Sequence, residues 1–342
     1  MKICVCGGGN LGHVITGYLA AKGTDHVTLL TRQPERWSHI LHIHTPEGKT
    51  LEGHVSQISA DAALLVPQAD IVLLCLPGFA IADTLNTIRP YLQPSTAVGS
   101  VVSSTGFFFE AMRALPEENA LFGFQRVPFI ARIEDYGHSA HLLGYKPSLS
   151  MAVETRKSSL SKEELGKSLA RLLDTPVQLL DSHYEVSLSN SNPLLHTSRL
   201  YSLWKDWKPG ITYARVPLFY EEWTEEAAQL YINMDLELQA LLDVLPVRKG
   251  AIPTVLDYYE STDAASLARK LCSIEAFKGI ASPMKEVGNG YVPDFHSRYF
   301  TEDFPYGLAI ARRLLMEHHI PAPHIEQVYQ WGMFVQSLKY HV

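Results

Sequence analysis

The stretch CVCGGGNLGHV, residues 4–14, ends a short β-branched run and opens an apolar periodic one. Within it Gly7, Gly9 and Gly12 stand in the spacing G-x-G-x-x-G, directly after a strand pattern and directly before a helix pattern. That context gives each glycine a job. Gly7 permits the tight turn, Gly9 lets the backbone approach a pyrophosphate, and Gly12 lets helix and strand pack closely. Asn10 and Leu11 open the helix, so their backbone N–H groups face the bound anion. The spacing therefore predicts a dinucleotide-binding βαβ unit at the start of the chain.

The second strand of such a unit, HVTLLT (residues 26–31), should end in an acidic residue if the cofactor is NAD, because a carboxylate there bonds the ribose hydroxyls. This chain has Thr31 and Arg32 at that point. An arginine pairs with a 2′-phosphate and a threonine adds a hydroxyl, so NADP is favoured over NAD. Further on, DIVLLCLP (residues 70–77) reads as a strand whose carboxyl end carries Leu76 and Pro77. These two are expected to line the cofactor cleft.

Outward from these strands, short β-branched runs alternate with helical ones as far as Thr155, the pattern of a parallel sheet wrapped by helices. TAVGSVV (residues 96–102) and LFGFQR (residues 121–126) extend the sheet. HIHTPEGKTLEGHVS looks like a hairpin inserted in a crossover, and ARIEDYGHSAHLLGYKPSLSMAVET supplies antiparallel strands. Past the polar connector RKSSLSKEE, with a capping signature at Ser161 and Glu164, one αβ unit bridges to a mostly helical texture. Helical segments are expected at 186–207, 222–244, 264–278, 305–317 and 324–338. The fold class expected is an α/β Rossmann-type, doubly wound N-terminal domain over 1–157, followed by a mainly α-helical C-terminal domain over 158–342.

The formal charge of −7 gives no basic footprint for nucleic acid, and no Lys/Arg cluster points to an anionic membrane surface. No apolar run reaches the ~18 residues of a membrane helix, and the opening apolar run stops at Gly7. Cys4, Cys6, Cys75 and Cys272 read as thiols in apolar runs and not as a disulfide framework. A cytoplasmic protein with small-molecule partners is expected, with a homodimer left open as its assembly. His39, His42 and His44 have a metal-like look, but no acid or thiol cluster lies near them in sequence, and no metal is expected.

A hydride donor needs a group that polarises the acceptor and moves a proton, most often a histidine. There are 15 histidines, so location decides. His196, in SLSNSNPLLHTSRLY, stands in the helix that opens the second domain, with Pro193 expected to kink or restart that helix. On periodicity alone it reads more readily as a core histidine. The second stretch of interest is DFHSRYFTEDFPYGLAIA, residues 294–311, where Asp303 ahead of Pro305 reads as a helix N-cap.

These residues, with KICVCGGGN, FQRVPFIARIEDYG, VPLFYEEW and YVPDFHSRYFTEDFPYG in that order, resemble the octopine/nopaline dehydrogenases, the opine dehydrogenase family, over nearly the whole chain. The resemblance implies NAD(P)H-dependent reductive condensation of a 2-oxo acid with the amine of an amino acid, through an imine. It implies that His196 is the acid/base histidine, Asp303 its paired acid and Arg298 the substrate-carboxylate arginine. Turnover then requires the second domain to close over the nicotinamide. Two substrate positions depart from the octopine pattern. Ser104 replaces a glutamine, and Arg126 replaces a neutral threonine, which offers a second carboxylate, as in 2-oxoglutarate, a partner. Two rivals remain: a ketopantoate-reductase-like 2-oxo acid reductase, which would carry a lysine on the second-domain helix, and a non-catalytic NADP-binding sensor.

Overall fold

Runs of Val, Ile, Leu and Cys too apolar to alternate require a sheet buried on both faces. The computed structural model, which describes residues 1–288 and 290–338, forms such a sheet from β1 (Lys2–Cys6), β2 (His26–Leu30), β5 (Gln57–Ser59), β6 (Ile71–Leu74), β7 (Ala97–Ser100), β8 (Leu121–Phe124), β11 (Leu149–Glu154) and β12 (Val177–Leu179). Its order is β12-β11-β8-β7-β6-β1-β2-β5. All neighbours are parallel except β11 with β8. Every residue of β6, β7 and β8 is buried. The strand order reverses at β1, which lies between β2 and β6. The crevice beyond the carboxyl ends of β1 and β6 is thus the topological switch point at which such sheets bind ligands.

The inserted hairpin, β3 (Ile40–His44) with β4 (Thr50–His54), does not stand alone. It joins β9 (Phe129–Asp135) and β10 (Ser139–Tyr145) in a second sheet of order β4-β3-β10-β9. Helix α1 (Asn10–Ala21) packs against all four of these strands as well as β1 and β2. Nine consecutive residues of it, Gly12 to Ala20, are buried. A helix covered on several sides needs small residues where backbones meet. A Cβ at Gly53 would lie 2.3 Å from the Gly17 carbonyl oxygen, so position 53 requires glycine, and one at Gly17 would press on the Ile43 side chain at 2.6 Å.

The first unit also contains α2 (Ala62–Leu65), α3 (Gly78–Ile88), α4 (Phe107–Ala114), α5 (Lys162–Leu173) and α6 (His183–Ser187). Pro77 does not end β6, which stops at Leu74, but stands as the N-cap of α3. The boundary between units falls at Ser189/Asn190 and not after residue 157. The reason is packing. Helix α5, opened by a complete Ser161/Glu164 capping box, lies on β11 and β12, and β12 pairs with β11 to lengthen the first sheet.

The second unit is mainly helical: α7 (Asn192–Trp204), α8 (Glu225–Leu242), α9 (Val255–Tyr258), α10 (Ala264–Ser273), α11 (Ala309–Glu317) and α12 (Pro323–Ser337), with a hairpin of β13 (Met284–Val287) and β14 (Gly290–Pro293). The helix expected over 186–207 is two helices. α6 ends at Ser187 and α7 restarts at Asn192, with Pro193 in its first turn, where a missing N–H costs nothing. Tyr299–Leu308 is a π-helix that runs into α11. Asp303 is therefore inside a helical segment and is not its N-cap. The wider π turn accommodates Pro305, whose absent N–H and bulky ring would break an α-helix.

Candidate active site

The glycine loop is built as its spacing requires. Gly7 has φ +118°, which a side chain resists, and a Cβ there would lie 2.6 Å from the Cys75 carbonyl oxygen. At Gly12 a Cβ would lie 2.0 Å from the Gly7 carbonyl oxygen. Gly9 differs: nothing stands within 4 Å of where its Cβ would be. Gly9 is also the N-cap of α1, without a side-chain cap and with no acidic residue in the first turn. An open space over uncapped N–H groups fits a dinucleotide pyrophosphate. The Asn10 side chain is otherwise engaged, its Oδ1 accepting the Ile133 N–H of β9 at 2.9 Å. His13, kept neutral by burial, accepts the Gly137 N–H at Nε2 (2.8 Å) and lies 3.0 Å from the Gly9 carbonyl oxygen through Nδ1. The loop is thereby tied to the second sheet.

The remaining first-unit residues singled out from the sequence share one edge. Each follows the carboxyl end of a parallel strand: Thr31 and Arg32 after β2, Leu76 and Pro77 after β6, Ser104 after β7, and Arg126 after β8. Thr31 is buried, and a side chain at Gly8 would meet its hydroxyl at 3.2 Å, whereas Arg32 is exposed. Ser104 is buried and Arg126 exposed. Their loops are tied by Ser103, whose N–H and hydroxyl both donate to the Phe124 carbonyl.

In the second unit, α7 buries Pro193 to Leu200 without a break, and His196 is 9% exposed. Its Nδ1 lies 2.8 Å from Asp303 Oδ2. A carboxylate accepts only, so Nδ1 is the donor of that bond, and in the neutral imidazole Nε2 keeps its lone pair. Nε2 is 2.9 Å from the hydroxyl of Tyr220, a residue not singled out from the sequence. Tyr299 packs its ring edge-on to the imidazole at 4.8 Å. Burial raises the Tyr220 and Tyr299 hydroxyl pKa values, with the negative charge of Asp303 adding to it.

Arg298 behaves differently from the expectation of a free fork. Its Nε and Nη2 donate to the two carboxylate oxygens of Glu302 at 3.0 and 2.9 Å, one turn away on an exposed surface. The bond to Glu302 raises its pKa further. A second missed residue is Arg199, 2% exposed, whose Nε donates to the Phe219 carbonyl at 2.9 Å. Burial pulls its guanidinium down to about 10, so it stays charged at neutral pH. No sequence spacing links Tyr220 or Arg199 to this site; the VPLFYEEW block is the signal that contained the tyrosine. The histidine stretch also gains an unexpected acid: Glu134 lies 3.0 Å from His44 and 3.4 Å from His141. Among the described residues, no group of three side chains could hold a metal ion.

Residues 179–335 match the family model "NAD/NADP octopine/nopaline dehydrogenase, alpha-helical domain", and residues 3–166 match that of ketopantoate reductase PanE/ApbA. These matches support the opine dehydrogenase family for this chain. It is similar to an opine dehydrogenase of Haliotis discus hannai, 28% identical over 97% of this chain and 89% of that one. A tauropine dehydrogenase of Arabella iricolor is 27% identical over 99% of this chain and 92% of that one. A solved octopine dehydrogenase with NADH and L-arginine shares the fold, with TM-score 0.87 and 24% identity over 100% of this chain and 91% of that one. Together with the first-unit match, these relatives support an oxidoreductase with a Rossmann-type nicotinamide-binding unit. Among the described residues, no helix is long and apolar enough to cross a membrane.

Proposed function

We propose that this chain is an NAD(P)H-dependent opine dehydrogenase acting at a C–N bond, which condenses a 2-oxo acid with the amine of an amino acid and reduces the imine. The observation that carries it is the 2.8 Å His196–Asp303 pair, with His196 in the buried stretch of α7, in a chain that resembles this family over nearly its whole length. A nicotinamide cofactor would supply the hydride, with its pyrophosphate over Gly9 and the first turn of α1. Asp303 holds the imidazole with its proton on Nδ1 and stabilises the imidazolium once a second proton arrives. His196 Nε2 is then the acid/base atom, taking a proton from the amine and returning one to the oxygen that leaves as water. Arg298, by exchanging Glu302 for substrate, would hold the oxo-acid carboxylate through two parallel bonds. Ser104 and Arg126 would choose the oxo acid, and Arg126 suits one with a second carboxylate.

The reading is tested by following NADPH oxidation with a panel of 2-oxo acids, each with and without amino acids. Oxidation that needs both substrates is the expected result. Equal rates without an amine would make the chain a hydroxy-acid dehydrogenase, and tight NADPH binding with no turnover would make it a sensor. Arg32 after β2, with no acid there, supports NADP over NAD. Arg32→Ala is expected to weaken NADPH far more than NADH in a binding titration, and equal losses would remove the 2′-phosphate assignment.

A further inference from the structure

We infer that Tyr220 relays protons between His196 and the substrate, extending the pair to a chain Asp303–His196–Tyr220. The inference deepens the proposed reaction and rests on it. With Nδ1 committed to Asp303, Nε2 is the nitrogen left for chemistry, and the Tyr220 hydroxyl stands 2.9 Å from it. Either the phenol swings away before turnover or it transmits the proton, and the packing decides between these. Its ring is stacked on Phe277 at 4.1 Å and 20°, with Phe219 edge-on at 4.9 Å. The backbone behind it is pinned: Phe219 N–H donates to the Ile280 carbonyl at 2.7 Å, and Ser282 N–H to that of Pro217 at 3.0 Å. Arg199 holds the Phe219 carbonyl, and Glu222 accepts the Leu218 N–H at 2.8 Å. At 6% exposure, rotation would abandon these contacts for nothing in return, whereas transmission leaves them intact.

A phenol suits the task because a hydroxyl both donates and accepts. Burial keeps it protonated through the neutral range. In the resting state its O–H donates to the neutral Nε2. When a substrate ammonium approaches, the phenol oxygen takes one of its protons as its own proton passes to Nε2, leaving a free amine and an imidazolium. The amine nitrogen bonds to the oxo carbon as the carbonyl π bond breaks, its electron pair going to the oxygen, and one N–H proton passes to that oxygen, giving a carbinolamine. The carbinolamine C–O bond then breaks, its electron pair leaving with the oxygen. That oxygen takes the phenol proton and departs as water, while the imidazolium Nε2 proton restores the phenol. Tyr220 and His196 end as they began, leaving an iminium carbon to which a bound nicotinamide would supply the hydride.

Tyr220→Phe deletes one oxygen and tests this. Relayed acid–base catalysis predicts a fall in kcat of about a hundredfold or more, with KM values and the NADPH dissociation constant within about threefold of wild type. As a second variant, fluorotyrosines placed at position 220 keep the shape and the hydrogen bond but make the phenol more acidic. A relay makes kcat follow that acidity; a kcat that does not respond makes Tyr220 a spacer and overturns the relay, even where Tyr220→Phe fails to fold. A Tyr220→Phe protein within about threefold of wild-type kcat overturns it as well. If the wild type itself shows no oxidation dependent on both substrates, the reaction reading fails first and takes the relay with it.

Discussion

His196 has both ring nitrogens engaged, by Asp303 and by Tyr220, inside the stretch of α7 that is buried without a break. Periodicity could not separate such a residue from a core histidine, and burial alone still does not; His183 and His324 also hold a carboxylate at Nδ1, and it is the Tyr220 hydroxyl added at Nε2 that sets His196 apart. His196→Ala is expected to lower kcat by about a hundredfold or more while leaving NADPH affinity unchanged, since the glycine loop lies in the other unit. Turnover close to wild type in a coupled absorbance assay would remove His196 from the chemistry. Arg298 poses the opposite problem, since its fork is occupied. An exposed i,i+4 ion pair is worth roughly 0.3–0.5 kcal/mol, little against a bidentate substrate carboxylate. Glu302→Gln should therefore lower KM for the 2-oxo acid by about twofold with kcat retained. A raised KM would show that Glu302 orients the arginine instead of competing for it.

The element that brings the acid to the histidine is the π-helix Tyr299–Leu308, and its approach to α7 depends on one glycine. A Cβ at Gly307 would lie 2.3 Å from Pro193 Cγ, part of a rigid ring in the first turn of α7. On its far side Phe300 and Phe304 stack at 5.3 Å and 4°, and Gly332 of α12 leaves room for the Phe304 ring. Gly307→Ala must push the two segments apart. A misplacement near 1 Å costs about a hundredfold in rate, so kcat should fall with NADPH binding intact, as measured by kinetics beside a binding titration. The sequence announced a helix here but placed its start at Asp303, because Pro305 normally marks a first turn. A π turn hides that signal, since nothing in residue spacing distinguishes it from an α-helix interrupted by proline. α1 was legible only in part. Its glycines were legible as a cofactor loop, but its burial by a second sheet was not, because β3 and β10 meet across nearly a hundred residues of chain.

For the molecule as a whole, the loop 215–222 that carries Tyr220 links stability to site geometry. Glu222 is held down at about 2, first by its bond from Arg215, then by the Leu218 N–H, with Arg199 adding positive charge. Its unfolded value is about 4.3, so its contribution is complete above that pH and is lost as pH falls toward 2. Glu222→Gln should cost on the order of 1 kcal/mol near neutrality after solvent screening, and the gap to wild type should close between about pH 5 and pH 2 in urea melts. A gap independent of pH would show that shape and not charge matters there. The two-part organisation was readable from the change in texture, whereas the boundary at Ser189/Asn190 was not, because α5 and β12 carry a helical-domain texture while extending the first sheet. That sheet ends in a row of loops, each hung from its own strand, with Gly7 and Leu76 on two and Ser104 and Arg126 on two others. Such a layout separates what must be inherited from what is free to drift. On the proposed assignment of Ser104 and Arg126 to the oxo-acid pocket, a mutant library confined to positions 104 and 126 should redirect turnover among oxo acids while every member keeps the same grip on its cofactor, so that a change of substrate range would need only a few codons.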